Sequence, residues 1–371
     1  MRMMFAARAI HNMAGGVERM IIAIMNEMVE RGHEVALFTW DRAEGQAFYP
    51  MRLEIRWYKL GLGDPARRAG MALRLQRAAR VRSMVKEFAP EAIVGFQGGA
   101  FRAMLAYTWG LGIPVVAAER TAPSLYEHAS TEWNRRIELL SFRLAAAIAV
   151  QFDRYRSSYP NALQSKIVET PNPVATAERH AEPGVPGPDH RYTLLSVGRL
   201  GYQKNFDVLL EAFELLADRF PEWDLRIIGE GEDREKLEAT IKASPRLIDR
   251  VFLPGATKDV ASCYVAAHLF CLPSRWEGFP NALAEALAHG LPAVGFAGCS
   301  GVADLIETGT TGWLADGVNN AESLAHALAE AMEATERRTS MGAFAVQAMR
   351  RYAPSECYDR WEALLMRVRS T

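Results

Sequence analysis

The chain has 371 residues, more than one core usually serves, so two domains are expected. Hydrophobic residues make up 49% and charged residues 23%, the balance of an ordinary globular protein, and no apolar run reaches membrane-spanning length. The net charge of −1 hides an asymmetry: residues 1–170 carry 23 Lys and Arg against 16 Asp and Glu, a net of +7, and the remainder carries 20 against 28, a net of −8. A basic first half suits an anionic surface such as phospholipid, or a phosphorylated acceptor. Nucleic acid is disfavoured as a partner, since no zinc-finger, helix-turn-helix or aromatic-basic motif accompanies the charge. Residues 1–30 open with a strand-like run and an amphipathic helix instead of a signal peptide, so the chain is expected in the cytosol or lying on a membrane without crossing it. Cys263, Cys271, Cys299 and Cys357 have neither close pair spacing nor a His pattern, which favours free packing thiols over a disulfide or metal site.

Met3 to Ile10 reads as a first strand, followed by Ala14-Gly15-Gly16 and a helix with Val17, Met20, Ile21, Ile24, Met25 and Met28 on one face, ended by Gly32. Glu34 to Trp40 is the next strand. The glycines either let helix pack on strand or let Gly15 and Gly16 approach a ligand; Ala-Gly-Gly-Val-Glu-Arg is not the dinucleotide fingerprint. Between residues 64 and 88, Val81, Met84, Val85 and Phe88 form a core stripe that continues backwards onto Arg77 and Arg74. With Arg67 and Arg68 nearby, the first half of this helix either borders a cleft or is a solvated cationic face. Glu91 to Phe96 and Ile113 to Ala118 are further strands. Glu119 and Arg120 follow the second, and are expected to emerge at the sheet edge where ligands bind in open α/β folds. Trp133 to Leu144 reads as a helix and Ala145 to Gln151 as a strand; His128 is expected to be structural.

Residues 170–190 are rich in Pro and Gly and cannot be helix or central strand, so the domain boundary falls here, with a first domain over 1–172 and a second over 190–354. Strands and helices then alternate through Tyr192 to Val197, Phe206 to Asp218, Leu225 to Gly229, Glu232 to Ala243 and Arg250 to Leu253. Two such arrays predict an α/β protein with two doubly wound, Rossmann-like sheets facing an interdomain cleft.

The densest pattern is Pro273 to Gly290. The buried strand His268 to Leu272 runs into a turn at Gly278 and Pro280, then into a helix expected to be capped by Asn281 and stopped by Gly290. Glu277 lies in the turn and Glu285 one helical turn in, beside free backbone N–H groups that attract phosphate. A sugar nucleotide needs both chemistries: its pyrophosphate takes amide donors and its hydroxyls donate to carboxylates. Arg199 and Lys204, at the end of Tyr192 to Val197, are placed to neutralise such a pyrophosphate.

Glu277, seven intervening residues and Glu285, within Glu-Gly-Phe-Pro-Asn-Ala-Leu-Ala-Glu-Ala, resemble the signature of the retaining GT-B glycosyltransferases of family 4. The resemblance is best over residues 190–315. It implies a donor site in which Arg199 and Lys204 hold the phosphates, Glu277 the sugar hydroxyls and Glu285 the ribose, with Gly278, Phe279, Pro280, Asn281 and Gly16 around them. Glu277, Lys204 and Arg199 are then the catalytic set. It also implies an acceptor site in the first domain using Gly15, Arg67, Arg74, Arg77, Glu119 and Arg120, and a helix over 355–371 crossing back to that domain. Many members have a His where Glu119-Arg120 stands; bacterial N-acetylgalactosamine transferases that extend polyprenyl-diphosphate-linked oligosaccharides resemble this chain there. No Asp-x-Asp occurs, and neither metal nor cofactor is expected beyond the donor itself. The expected partners are a nucleotide sugar, a polyprenyl-diphosphate-linked saccharide and the cytoplasmic membrane face. The alternatives are a nucleotide-sugar 2-epimerase, a GDP-mannose-dependent mannosyltransferase and a non-catalytic anion- or membrane-binding module.

Overall fold

A computed structural model describes residues 1–13, 15–63, 70–122 and 132–369. They fall into two compact units, Met1–Pro173 with Pro354–Thr371, and Val174–Ala353. Among the described residues no helix is long and apolar enough to cross a membrane.

The first unit is a seven-stranded sheet of β1 (Arg2–Ala7), β2 (Glu34–Thr39), β3 (Arg56–Lys59), β4 (Ala92–Phe96), β5 (Val115–Ala118), β6 (Ala147–Val150) and β7 (Ile167–Glu169). The order is β3-β2-β1-β4-β5-β6-β7, parallel throughout. Met3 to Ala6 and Ala92 to Phe96 are buried because helices cover both faces, as parallel sheets require. Those helices are α1 (Gly16–Glu30), α2 (Met71–Phe88), α3 (Gln97–Thr108), α4 (Glu132–Phe142) and the short α5 (Asn161–Gln164). β1 stops at Ala7, short of the expected Ile10, because the Ile10 N–H turns to Asp41 Oδ2 at 2.9 Å and leaves the ladder. The edge strand β3, Arg-Trp-Tyr-Lys, carries no apolar run and goes unrecognised in the sequence.

Helix Pro354–Arg369 folds onto this unit. Trp361, Leu364, Leu365 and Val368 join its core, with the Trp361 ring 5.9 Å from Phe96. Arg31 fastens the outer side through Asp359 and Glu362, each at 2.6 Å.

The second unit is a six-stranded parallel sheet of β8 (Tyr192–Val197), β9 (Trp223–Ile228), β10 (Val251–Gly255), β11 (Leu269–Leu272), β12 (Ala293–Phe296) and β13 (Gly312–Ala315). Its order is β10-β9-β8-β11-β12-β13. The connecting helices are α6 (Phe206–Leu216), α7 (Arg234–Ala243), α8 (Val260–Val265), α9 (Asn281–Ala288), α10 (Ser300–Leu305), α11 (Ala321–Glu333) and α12 (Thr335–Met349). The Pro-rich stretch after Pro173 packs on this unit. Fully buried Arg338 donates to Pro183 O at 3.1 Å and sits 5.1 and 5.0 Å from the Tyr192 and Trp223 rings. Helix α9 corrects one expectation: Pro280 occupies the N-cap position, Asn281 is the first helical residue, and no side chain caps the end. Proline suits this edge, having no N–H to leave unpaired.

Candidate functional site

In the second sheet the chain leaves β8 toward β9 and β10 on one side, while β11, β12 and β13 lie on the other. The β8–β11 junction is therefore the topological switch point, where two loops diverge and open a crevice at the carboxyl ends of the strands. The loop after β8 carries Arg199 and Lys204, and that after β11 carries Glu277. Hydrogen bonds zip the two together: Asn205 Nδ2 donates to Pro273 O at 3.1 Å, Gln203 Nε2 to Trp276 O at 2.8 Å, and the Arg275 N–H to Gln203 O at 2.9 Å.

Lys204 Nζ donates to Glu277 Oε1 at 2.6 Å, with side chains 18% and 8% exposed. Ser274, fully buried, donates its hydroxyl to the same oxygen at 2.8 Å. Lysine offers three donors and Glu277 uses one of them, which keeps a localised cation beside a fixed carboxylate. Two glycines permit the approach of neighbouring chain. A Cβ at Gly301 would lie 2.6 Å from Glu277 O, and one at Gly229, whose φ is +151°, would lie 1.9 Å from Gly198 O. Cys299 lies nearby, but burial, and after it the charge of Glu277, push its thiol up to about 12, so it stays a neutral packing group.

Glu285 lies one turn into α9, half-buried, and accepts from the Tyr264 hydroxyl at 3.1 Å. Arg199 stands apart from the buried pair: it is 77% exposed and bridges Glu232 at 2.9 Å. Gly278, Phe279, Pro280 and Asn281 form the turn into α9, with Phe279 and Pro280 buried and the Phe279 ring 5.4 Å from Tyr352.

In the first unit, Gly15 is the N-cap of α1 and Gly16 its first residue. Arg74 is exposed on α2, whereas Arg77 is buried, donating from Nε and Nη2 to Leu62 O at 3.0 and 2.8 Å. Arg77 also lines a pocket of about 280 Å³ with Arg8, Trp40 and Tyr107. Arg67, Arg68 and His128 lie outside the described residues. Glu119 and Arg120 correct the expectation that both charges emerge at the sheet edge: both are buried, at 2% and 5% exposure. Arg120 donates to Thr170 O at 2.7 Å, Thr170 Oγ1 at 2.8 Å and Ala149 O at 3.0 Å, and sits 5.2 Å from the Trp361 ring. These carbonyls and the indole hold the guanidinium inside, against a desolvation cost that pulls its pKa down.

Comparison with known proteins matches residues 15–166 to the family described as Glycosyl transferase 4-like domain, and residues 180–347 to Glycosyl transferases group 1. Two domains matching glycosyltransferase families thus follow one another in the chain, on a GT-B fold. The group 1 match contains Arg199, Lys204, Glu277 and Glu285, and the 4-like match contains Gly15, Gly16, Arg74, Arg77, Glu119 and Arg120. An uncharacterized glycosyltransferase of Haemophilus influenzae is 27% identical over 95% of this chain and 96% of its own length. The poly(glycerol-phosphate) alpha-glucosyltransferase of Bacillus subtilis is 31% identical over 50% of this chain but only 28% of that protein. Among solved structures, the lipopolysaccharide outer core galactosyltransferase WaaB superposes with a TM-score of 0.78 at 18% identity, covering 99% of both chains. HepE of Anabaena, in complex with UDP, superposes with 0.79 at 16% identity over 99% of this chain and all of the other.

Two side chains of the candidate donor site escape a linear reading, Ser274 and Tyr264. Ser274 has a weak local signal, a hydroxyl three residues before a strand-end carboxylate. Tyr264 has none, because its tie to Glu285 joins the helices before and after β11.

Proposed function

We propose that this protein moves a hexosyl or N-acetylhexosaminyl unit from a nucleotide sugar, a UDP-sugar such as UDP-N-acetylgalactosamine, onto a saccharide carried on a polyprenyl diphosphate. It does so at the cytoplasmic membrane face, with retention of anomeric configuration and without a metal ion. The observation that carries the reading is the Lys204–Glu277 contact of 2.6 Å at the switch point, with Glu285 on the next helix. HepE bound to UDP on a similar fold supports a uridine donor.

The donor's diphosphate lies over the α9 N-terminus, where the backbone amides after Gly278 and the helix dipole favour negative charge. Lys204 meets the phosphate from the β8 side. Arg199 exchanges Glu232 for phosphate at small cost, since water and salt screen an exposed ion pair. Glu277 accepts from the transferred sugar's hydroxyls and Glu285 from the ribose. The acceptor hydroxyl attacks C1 as the C1–O bond to the diphosphate breaks; the nucleoside diphosphate leaves with the electron pair, and the acceptor's proton passes to a departing phosphate oxygen. Stabilising the charge that develops there is the main work of Lys204, Arg199 and the amides. In the first unit, Gly15, Arg74 and Arg77 are proposed to face the acceptor, together with the pocket of Arg8, Trp40 and Tyr107.

The test is a panel of nucleotide sugars with a lipid-diphosphate disaccharide, scored for free nucleotide. Acceptor-dependent release of UDP is expected. Release of GDP from GDP-mannose alone would overturn the donor, and epimerised donor without any acceptor would overturn the transfer reaction.

A further inference from the structure

Helix α4 turns apolar side chains toward solvent. Ile137 and Leu140 are 39% and 58% exposed, and Leu144, just past its end, is 56% exposed. At 3.6 residues per turn these positions, spaced three and four apart, share one face with Arg136 and Arg143, which are exposed as well. Of the two acidic residues of α4, Glu132 opens the helix, and Glu138 lies on the other side, its carboxylate filling the space beside Gly98 of α3. Along this face runs a groove of about 300 Å³ lined by Leu139, Leu140, Pro160 and Leu163 together with Arg136 and Arg143.

We infer that this face of α4 and its groove dock the enzyme on an anionic lipid bilayer. Aliphatic side chains and arginines interleaved on one exposed face match the two layers of a membrane interface, acyl carbon below and phosphate above. The groove accepts an acyl chain or glycerol backbone while both guanidinium groups meet the lipid phosphate. The net charge of +7 over residues 1–170 draws the same unit to such a surface. A two-fold pairing of this face with a second copy would set Arg136 and Arg143 against their own counterparts, which like charges oppose. A small soluble ligand in the groove would leave Ile137 and Leu144 wet. The inference deepens the proposed function, on whose membrane location it rests, by naming the surface that makes the contact.

The test is co-sedimentation of the full chain with vesicles of equal phosphatidylglycerol and phosphatidylcholine, against phosphatidylcholine alone, with UDP release measured on the same preparations. Wild type is expected to bind only the anionic vesicles. Leu140→Glu with Leu144→Glu is expected to lose binding at least tenfold, and Arg136→Gln with Arg143→Gln about fivefold per arginine, the worth of about one basic side chain at an anionic surface. Both doublets lie on the exposed face, so unchanged circular dichroism and melting temperature confirm that the fold survives. Wild type that ignores anionic vesicles, variants that bind as wild type does, or a dimer in sedimentation velocity that Leu140→Glu dissociates, would each overturn the docking surface. UDP release that persists when vesicle binding fails removes this inference alone; vesicle binding without turnover of any nucleotide sugar removes the proposed function and leaves the docking surface standing.

Discussion

Lys204 Nζ and Glu277 Oε1 meet at 2.6 Å although 73 residues separate them, because β8 and β11 are neighbours in the sheet. The pairing puts a cation and a carboxylate side by side before any substrate arrives. Glu277→Gln and Lys204→Met are each expected to lower kcat by a factor of at least about 100, the scale for removing one group that stabilises developing charge. Their stabilities separate them. Lys204→Met takes the counter-ion from a buried carboxylate and costs about 3 kcal/mol, while Glu277→Gln leaves a lysine that water still reaches and costs less. Urea melts of both proteins measure the difference; equal stability with full activity would end the assignment.

Ser274 and Tyr264 act through the carboxylates they hold. Ser274→Ala is expected to lower kcat several-fold with little change in KM, since Glu277 loses a hydrogen bond that holds Oε1 in place. Tyr264→Phe is expected to raise the donor KM with kcat nearly unchanged, and to cost about 1 kcal/mol of stability for one lost hydrogen bond. Steady-state kinetics with a single nucleotide sugar would show the split.

Arg120 provides a contrary test. Removing the guanidinium by Arg120→Met takes away the donors to Thr170 O and Thr170 Oγ1, while Ala149 O keeps the Glu119 N–H at 2.9 Å, and is expected to cost about 1–3 kcal/mol. Acceptor KM should stay as in wild type. A raised acceptor KM at unchanged stability would restore Arg120 to the acceptor site.

His268 makes the second unit sensitive to acid. Its Nδ1 accepts from the Thr193 N–H at 2.9 Å and its Nε2 donates to Val185 O at 2.8 Å, so the folded protein holds it neutral. Burial, and less strongly the charge of Arg338, pull its pKa below the usual 6.5. The unfolded chain therefore binds a proton that the folded chain refuses. Stability falls as pH drops below about 6.5, by at most about 1.4 kcal/mol per pH unit, until the folded pKa is passed. His268→Gln should remove that part of the slope; chemical melts between pH 7 and pH 5 would show it, and an unchanged slope would refute it.

The fold was legible because most strands are continuous apolar runs and the helices carry clear stripes, as in Val81, Val85 and Phe88. What failed to show was set by neighbours far along the chain. β3 is a half-exposed edge strand with no apolar run, so only its pairing with β2 defines it. Glu119-Arg120 looks like an exposed charged dipeptide until Thr170, Ala149 and Trp361 close over it. Within the candidate site, Arg199, Lys204, Glu277 and Glu285 stand out because charge at a strand's end is conspicuous. Ser274 and Tyr264 do not, because ordinary packing uses the same residue types.

Helix Pro354–Arg369 places Trp361, Leu364 and Leu365 in the core of the first unit, although the whole second unit intervenes in the chain. During synthesis the first unit thus leaves the ribosome with one wall of its interior uncovered, and it stays so until the second unit has been translated. The Phe96 surface that Trp361 covers is exposed to solvent meanwhile, a window in which chaperones bind and nascent chains aggregate.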